Sequence, residues 1–527
     1  MRIVDNIKKW IGKGAALINK QEFQSVFDHP KIDADPKEFE RIAESFRYYR
    51  GEYGIINYTN SKQNQRTRRF STVNMAKKVA AEYAKVLFNE QAEIIVGEVK
   101  DENGKEVTNP LNDWIQHVLE HNDFKKNLSR YLEPAMALGG LAVRPYFNKD
   151  SQEIEFSWAL ADAFYPLRSN TNKISECAIP FRTTETVGDT TYYYTKLEFH
   201  EWVWDEKKQK HKYVVTNELY ESESPDILGK QVALKKQYPK LAEKAIFYNM
   251  SRPQFAYLKP AGFNNIHPYS PLGLGVYDNS KNTLDRLNLT FDEFNMEIKR
   301  GRRRIAVSEM LMKSKIDHRT KTTSEYFDDD EDLFVWVPGA NPDDMGVKDL
   351  TSDIRTTEYV AAINHHLRTL EMETGLSTGT FTFNGEGIRS TKTATEVVSE
   401  NSQTYQSRNM HEKELRKFIQ ELIISICELG TNVKNAAGQK VYSGEIPAAE
   451  IIGVDLDDGV FLNKDAEVNQ FLRLRNAGII PGWYVLAKTK DMPEDVAKRL
   501  YAEALKDEFN MMTRGDLPTT GIDDYEE

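Results

Sequence analysis

The chain has 527 residues, of which 40% are hydrophobic and 29% are charged, which predicts several domains and no membrane-spanning helix. The formal net charge of −11 argues against tight binding of nucleic acid over the whole surface. Only two cysteines are present, Cys177 and Cys427, and the N-terminal residues lack a signal-peptide pattern. We therefore expect no disulfide framework and assembly in a reducing, intracellular compartment.

Helices are predicted for most of the chain before Leu141. Apolar residues at helical spacing in Met1–Ile11 indicate a short helix, for which docking on the protein itself is favoured over a membrane surface. The same spacing predicts helices over Pro36–Tyr49, Val73–Leu87, Leu111–His121 and Phe124–Leu138. Gly51–Arg69 is interpreted as a polar loop that ends in a basic run. The pair Asn122-Asp123 is expected to cap the last of these helices.

From Leu141 onwards, apolar residues alternate with polar ones, as in the strands of a half-buried sheet. Strands are predicted over Ala142–Phe147, Ile154–Trp158, Thr190–Trp204 and His211–Tyr220. The third of these is rich in aromatic residues, namely Tyr192, Tyr193, Tyr194, Phe199, Trp202 and Trp204. These side chains could pack within the sheet or form a base-stacking platform. Packing is favoured because only one short basic run adjoins them.

Two helices with heptad spacing organise the centre of the chain. The first is predicted over Tyr277–Arg300 and the second over Asp353–Thr374. In both, apolar residues recur at alternating gaps of three and four, which places a continuous stripe on one face of the helix. The stripes consist of Leu284, Leu287, Phe291, Phe294 and Ile298 in the first helix and of Val360, Ile363, Leu367 and Leu370 in the second. Such helices are expected to pack against each other or against neighbouring copies.

The segment between the two helices is about fifty residues long, which exceeds an ordinary bundle loop. It starts at a basic junction formed by Lys299, Arg300, Arg302, Arg303 and Arg304. The loop Leu376–Ser390 follows the second helix, is rich in Gly, Ser and Thr, and is predicted to be mobile and exposed. The candidate residues for contact with nucleic acid in and beside this loop are Thr378, Thr380, Phe381, Thr382, Phe383, Asn384, Arg389 and Lys392.

The C-terminal part is predicted to be mostly helical. A long helix over Thr391–Leu429 is expected to end at Gly430, and Asn432–Gly444 is interpreted as a linker with hairpin character. Shorter helices are predicted over Asp465–Asn476 and Pro493–Lys506. The acidic residues of Thr513–Glu527 predict a disordered tail.

No catalytic, cofactor-binding or metal-binding motif is found in the sequence. The chain has no GxxxxGKS/T phosphate-binding loop, no GxGxxG after a strand and no HExxH. His365 and His366 are adjacent in a predicted helix, so they point in different directions and suit a surface pair better than a metal site. The run Asp328–Asp332 lacks calcium-loop spacing and is interpreted as a solvated acidic loop. We therefore expect a protein that is not an enzyme and has no cofactor.

The order of these parts resembles the portal proteins, or head-to-tail connectors, of tailed bacteriophages, of the type found in siphophages of Gram-positive hosts. One feature is the pair of heptad helices around a mixed segment. Another is the loop that leads into Ser390–Val397, whose small residues match a run that is common in that family. The third is the order of helices, aromatic sheet, helix pair and C-terminal region. The resemblance extends over essentially the whole chain.

The resemblance implies an α+β, mainly α-helical fold of the portal type. Its parts are a wing, a two-helix stem, an α/β clip, a tunnel loop and a helical crown. In this sequence the expected boundaries are residues 1–265 for the wing, 266–300 and 351–375 for the stem, 301–350 for the clip, 376–390 for the tunnel loop, 391–430 for a long wing helix, 431–512 for the crown and 513–527 for the acidic tail.

The resemblance also implies a function. In that family a homo-oligomeric ring, usually a dodecamer, lies at one vertex of the capsid, and viral double-stranded DNA is packaged and ejected through its channel. The implied partners are terminase, which supplies ATP hydrolysis, a head-completion adaptor protein, and the major capsid and scaffolding proteins, with no membrane. The implied location is the portal vertex of the virion, after assembly in the host cytoplasm.

Two points stay open at the level of the sequence. The basic junction fits contact with DNA and equally fits salt bridges between subunits, for instance with Asp328–Asp332. The alternative functions are a terminase subunit and a capsid or adaptor protein without a channel. A terminase requires a phosphate-binding loop or a cluster of nuclease carboxylates, and neither is visible in the sequence. We accordingly expect no ATPase or nuclease activity.

Overall fold

The fold is given by a computed structural model of the chain. The described residues are 22–59, 63–89, 92–97, 109–170, 173–301, 305–306, 313–317, 322–326, 348–349, 353–381, 402–456, 471–475, 478–489 and 497–502. The predictions for Met1–Ile11, Asp328–Asp332, Ser390–Val397 and Thr513–Glu527 lie outside these residues.

The helices, numbered in chain order, are α1 Pro36–Arg50, α2 Met75–Leu87, α3 Pro110–His121, α4 Phe124–Leu138, α5 Lys281–Arg300, α6 Thr356–Thr374, α7 Ser402–Asn432 and α8 Gly482–Thr489. Residues 471–475 and 497–502 are also helical and lie within the two C-terminal segments predicted as helices. The four helices predicted between Pro36 and Leu138 and the two heptad helices are confirmed to within a few residues.

The strands are β1 Ile55–Thr59, β2 Gln65–Arg69, β3 Glu93–Val96, β4 Leu141–Asn148, β5 Glu153–Leu160, β6 Tyr165–Ser169, β7 Ile174–Val187, β8 Thr190–Asp205, β9 Lys210–Ser222, β10 Lys230–Val232, β11 Lys244–Phe247, β12 Ala256–Leu258, β13 Ile305–Ala306, β14 Lys313–Asp317, β15 Thr322–Tyr326, β16 Lys348–Asp349 and β17 Ile452–Asp455. The fold is thus a mixture of helices and antiparallel sheets, as the predicted α+β class requires.

The largest sheet is antiparallel and has the order β10-β9-β8-β7-β6, with β11 pairing on β9. In the middle strand β8, Phe199 lies opposite Ala178 of β7 and Thr216 of β9. Phe199 and Tyr194 are buried, so these aromatic side chains pack within the protein. The sequence did not reveal β6 and β7, because Pro166 and Pro180 interrupt their alternation.

The main hydrophobic core joins the N-terminal helices, the small sheet β12-β4-β5 and the long helix α7. Helix α4 contributes the fully buried Leu128 and Leu132, and α7 contributes the fully buried Leu422 and Ile423. The same core continues into the first turns of α5 through Leu284. The two heptad helices are therefore rooted in the body of the protein at one end.

Two residues predicted as signals for a helix end act differently in the structure. The prediction that Gly430 ends α7 is wrong, because the helix continues to Asn432. A Cβ atom at Gly430 would lie 2.7 Å from the Cβ of Tyr442, so close packing requires the glycine. The predicted cap of α4 is also wrong, because Asp123 has a φ of 47° and its side chain makes no capping bond. Asn122 instead accepts a hydrogen bond from the backbone N–H of Phe156 at 2.8 Å.

A buried ion cluster ties α1 to the start of α5. Arg41 donates to both carboxylate oxygens of Glu38, at 3.1 and 2.9 Å, and to the carbonyl oxygen of Gly273 at 3.0 Å. It also donates to Asp278, in the single turn that precedes α5. Asp278 further accepts from the Ser45 hydroxyl and from the N–H of Gly275. The cluster therefore fixes the place and direction in which α5 leaves the core.

We predict that Asp278→Ala lowers the free energy of unfolding by about 3 kcal/mol, because Arg41 then loses a buried counter-charge. The measurement is chemical denaturation followed by circular dichroism. The matched control is Asp150→Ala, whose exposed ion pair with Lys240 should contribute less than about 1 kcal/mol. Equal stability of the two variants would contradict an anchoring role for the cluster.

Candidate functional site

The two heptad helices, α5 and α6, form an antiparallel pair, which we call the stem pair. At its root, the Thr283 hydroxyl donates to Glu373 at 3.0 Å. Near its far end, the Phe294 and Tyr359 rings lie 5.3 Å apart, and Arg355 donates to both carboxylate oxygens of Glu297, at 3.0 and 3.1 Å. Of the two arrangements that the heptad spacing left open, the structure shows packing of the two helices against each other within one chain.

The predicted stripes are buried only toward the root of the stem pair. Leu284, Leu287, Ile363, Leu367 and Leu370 are buried, and Phe291 and Phe294 pack partly buried against the core. Two stripe residues at the far end break the pattern, since Ile298 is 43% exposed and Val360 is 38% exposed. One face of the far stem therefore presents apolar side chains to solvent within a single chain.

The loop after α6 is anchored at its start. Leu376 and Ser377 are buried, so the expectation that the loop is exposed from its first residue is wrong. The Thr404 hydroxyl accepts from the N–H of Ser377 at 2.8 Å, and the Ser377 hydroxyl oxygen accepts from the N–H of Thr404 at 3.1 Å. These reciprocal bonds attach the loop to the first turn of α7.

A buried carboxylate also holds the loop. Glu371 is fully buried in α6 and accepts hydrogen bonds from the backbone N–H groups of Gly379, at 3.0 Å, and Phe381. Thr378 and Thr380 are exposed, whereas Phe381 packs partly buried against the core of its own chain. The predicted contact residues beyond Phe381 lie outside the described residues: Thr382, Phe383, Asn384, Arg389 and Lys392.

The basic junction is described only in part. Lys299 is exposed at the last turn of α5, and Arg300 is the final residue of that helix. Arg302, Arg303 and Arg304 lie outside the described residues, as do the carboxylates proposed as their partners. The structure therefore leaves the choice between DNA contact and subunit salt bridges as the sequence left it.

One feature of the site was missed by the sequence analysis. Gly51–Arg69 contains the antiparallel hairpin of β1 and β2, so the interpretation of this segment as a loop is wrong. Arg68 of β2 holds Asp292 of α5 through two bonds of 2.5 and 2.6 Å, and the N–H of Ser71 adds a third at 3.0 Å. The bonds from Arg68 hold the pKa of Asp292 below its usual value. The alternation of Arg66 and Arg68 was the signal available for a strand.

The described residues contain no group arranged to hold a metal ion and no membrane-spanning helix. His365 and His366 place their ring centroids 5.6 Å apart. Partial burial and the neighbouring His365 lower the pKa of His366. No group of three or more His, Cys, Asp or Glu side chains in the described ranges is arranged to hold a metal ion. None of the described helices has the length and apolar character needed to span a bilayer.

The chain matches the model of a known protein family over most of its length. The family model described as phage portal protein, SPP1 Gp6-like, matches residues 28–508. The chain belongs to this family of bacteriophage head-to-tail connectors, and the resemblance stated from its sequence is confirmed. Among curated proteins the comparison found no match.

A solved structure, the neck of an empty GTA particle computed with C6 symmetry, is similar to this chain. It is 10% identical over 78% of this chain and 86% of that chain, with a TM-score of 0.32. Because this score is low, the assignment rests on the family match.

We predict that Glu371→Ala loosens the start of the loop while the core stays folded. Removal of the carboxylate leaves the N–H groups of Gly379 and Phe381 without this acceptor, so their exchange with deuterium should accelerate by roughly tenfold or more. Hydrogen–deuterium exchange with mass spectrometry measures this change. Glu373→Ala, two residues along the same helix, is the matched control, and equal exchange in the two variants would refute the anchoring role.

Proposed function

We propose that this chain forms the portal ring at one vertex of a phage capsid, and that viral double-stranded DNA enters and leaves through the ring. The ring is a homo-oligomer, with twelve copies as in the resemblance on which the proposal draws. Family membership supports this proposal most strongly, since the match extends over residues 28–508. The protein acts as a channel and a docking platform, while a separate terminase supplies the work of packaging.

The stem pair carries the structural argument for a ring. Its root is buried in the chain's own core, but Ile298 and Val360 at its far end remain exposed. Apolar side chains that continue a heptad stripe beyond the core are typical of helices that pack on another copy. Neighbouring stem pairs packed around an axis would cover these side chains and enclose a channel.

The assignment of parts follows the boundaries expected from the sequence. Residues 1–265 with residues 391–430 form the wing, α5 and α6 form the stem, and 301–350 form the clip. Residues 431–512 form the crown. We propose that the clip binds terminase during packaging and the head-completion adaptor afterwards, and that the capsid and scaffolding proteins contact the ring during assembly in the host cytoplasm.

The charge of the protein suits passage of DNA without retention. Twelve copies carry 12 × −11 = −132 formal charges, so the ring as a whole repels phosphate. Any contact with DNA is therefore local. We propose that the loop lines the narrowest part of the channel, where the exposed Thr378 and Thr380 of its anchored start and the residues that follow Phe381 touch the DNA backbone through hydroxyl and amide groups. Arg389 and Lys392 supply charge at its end.

The first prediction concerns ring formation. Ile298→Asp together with Val360→Asp should abolish rings, because each carboxylate would be buried without a partner at the subunit contact, at several kcal/mol per site. The single chain should stay folded, since both side chains are exposed within it. Native mass spectrometry measures the oligomer, and circular dichroism measures the fold.

The control for this experiment is Val187→Asp, at an exposed position at the end of β7. It should leave the rings unchanged. Leu367 is unsuitable as a test position, because it is buried in the chain's own core and an aspartate there would disturb folding. Intact rings in the double variant would contradict the stem assignment.

The second prediction concerns packaging. Deletion of Thr382–Gly387 removes the loop beyond Phe381 but keeps the anchor formed by Glu371 and Thr404. Rings should still form, because the hydrogen bonds that hold the loop to the core remain. Packaging of DNA into proheads should fall at least about tenfold, because the channel loses the DNA contacts of Thr382, Phe383 and Asn384 and the length that lets the loop reach the DNA.

The matched control deletes Lys207 and Lys208 from the exposed turn between β8 and β9. This variant should package DNA normally. Packaging at the normal rate by the loop deletion would show that the loop does not line the channel.

A further inference from the structure

A cleft lies between the start of α1, strand β6 and the loop that precedes α5. We call it the α1–β6 cleft. It is lined by residues from three segments, 33–39, 166–169 and 266–272. Its volume is about 320 Å³, which is at the lower end of the range for binding pockets.

Hydrogen bonds hold the walls of this cleft in place. Glu38, which is buried, accepts from the Asn264 amide at 3.0 Å and from the Ser270 hydroxyl at 3.2 Å. Asn264 accepts in turn from the backbone N–H of His267 at 2.8 Å, and the Ser270 hydroxyl oxygen accepts from that of Leu272 at 3.2 Å. The cleft is therefore formed before anything binds in it, as binding sites usually are.

The fixed loop nevertheless presents large apolar side chains to solvent. Tyr269 is fully exposed and Ile266 is 40% exposed, and both line the cleft. The α1 and β6 walls contribute Phe39 and Leu167, which are only partly buried. Exposed apolar side chains gathered on a preformed concave surface are typical of an interaction site.

The charged side chains that line the cleft are acidic, apart from His267. Asp33 and Asp35 are exposed, whereas Glu38 is buried and bound to Arg41. A second cleft, beside α7, has the opposite character, because four lysine or arginine side chains and only two carboxylates line it. The α1–β6 cleft therefore suits an apolar segment that carries positive charge.

Residues 1–11, which we call the N-terminal segment, have these properties. They include three lysine or arginine residues and one aspartate, a net charge of 3 − 1 = +2, and the next ten residues add two lysines and no carboxylate. Lys8 borders the apolar face that the segment would have as a helix, whereas Arg2 and Lys9 lie away from it and act through longer-range attraction. That face consists of Ile3, Val4, Ile7, Trp10 and Ile11.

The described chain begins beside the cleft. The Phe27 ring lies 5.2 Å from the ring of Phe39, which lines the cleft. The 15 residues between Ile11 and Phe27 span at most roughly 50 Å, and a helix of the segment's length is roughly 16 Å long. The segment can therefore reach the cleft of its own chain, and a tether of this length holds it there at an effective concentration of about millimolar.

We propose that the N-terminal segment docks in the α1–β6 cleft of its own chain. Its apolar face covers Tyr269 and Ile266, and Lys8 lies beside the two exposed aspartates. Docking removes both apolar surfaces from water at once. The inference does not depend on the proposed ring, because the segment and the cleft belong to one chain. A neighbouring copy, a nucleic acid and a membrane surface are the competing partners that the experiment distinguishes.

The first test locates the segment in nuclease-treated, lipid-free protein. Asn6→Cys places a thiol beside the apolar face, and the two native cysteines are buried. A photoreactive label on this thiol should cross-link to peptides from 33–39 or 266–272. Isotopically light and heavy chains, mixed before assembly, distinguish links within one chain from links between chains. Asp189→Cys, on the exposed turn after β7, should give no such product.

The second test removes the apolar contact. Tyr269→Asp should lower the yield of this cross-link at least about threefold, because a charge replaces the side chain that the segment covers. The fold should be retained, since Tyr269 is exposed, and circular dichroism checks it. Phe263→Asp is the matched control, because Phe263 is 72% exposed on the same loop but lies outside the cleft lining. It should leave the yield unchanged.

The third test removes the charge. Asp33→Asn with Asp35→Asn should lower the yield at low salt, and the difference from wild type should shrink at high salt. Asparagine keeps the cap of α1, where Asp35 accepts from the N–H of Lys37 at 3.0 Å. Asp189→Asn with Glu206→Gln makes the same charge change on exposed turns and should have no effect.

The outcomes are distinct, and none of them bears on the proposed ring. Links within one chain at the cleft that Tyr269→Asp weakens and Phe263→Asp does not support the proposal. Links only between chains, or equal yields in these two variants, overturn it. Absence of the links together with binding of the protein to phosphatidylserine vesicles assigns the segment to a membrane surface. Absence of the links together with retention on duplex DNA assigns it to nucleic acid, and either result overturns the proposal.

Discussion

The buried cluster of Arg41, Glu38 and Asp278 is the constraint on which the geometry of the stem depends. Two carboxylates and one guanidinium have been removed from water, and each is hydrogen-bonded within the protein. A buried pair of this kind adds little net stability over an apolar packing, but a mispaired charge is strongly unfavourable. The cluster therefore selects one way for α5 to leave the core. Because α6 packs antiparallel on α5, the position of the loop after α6 follows from the same choice.

The sequence predicted the elements well where the pattern is local and repeated. The heptad stripes indicated both stem helices, because a three-four spacing admits few other structures, but they left open whether the helices pack on each other or on neighbouring copies. It did not show which stripe residues the chain buries by itself. Leu367 and Ile298 occupy equivalent positions in the pattern, yet one is buried and the other is 43% exposed. That difference depends on where the core ends, which no local pattern records.

The errors have a common physical origin in long-range contacts. Gly430 resembles a helix stop, but it is a glycine because Tyr442 packs against the helix there. The segment that forms the hairpin of β1 and β2 has a loop-like composition, and the attachment of this hairpin depends on an aspartate more than two hundred residues away in sequence. Likewise, the loop after α6 has a flexible composition, but Glu371 and Thr404 hold its first residues. Thr378 and Thr380 therefore lie in an anchored part of the loop. The roles of Thr382, Phe383, Asn384, Arg389 and Lys392 rest on the sequence alone.

A single chain covers the apolar side chains of its core but does not cover those at the far end of its stem pair. Its body buries a continuous hydrophobic core, while the far stem exposes Ile298 and Val360 of the heptad stripes. The central claim is that copies of the chain close this surface in a ring with an axial channel. Electron microscopy of the purified, nuclease-treated protein tests it most directly. The account predicts closed rings with a central hole, and a population of monomers or of closed shells without a channel would contradict it.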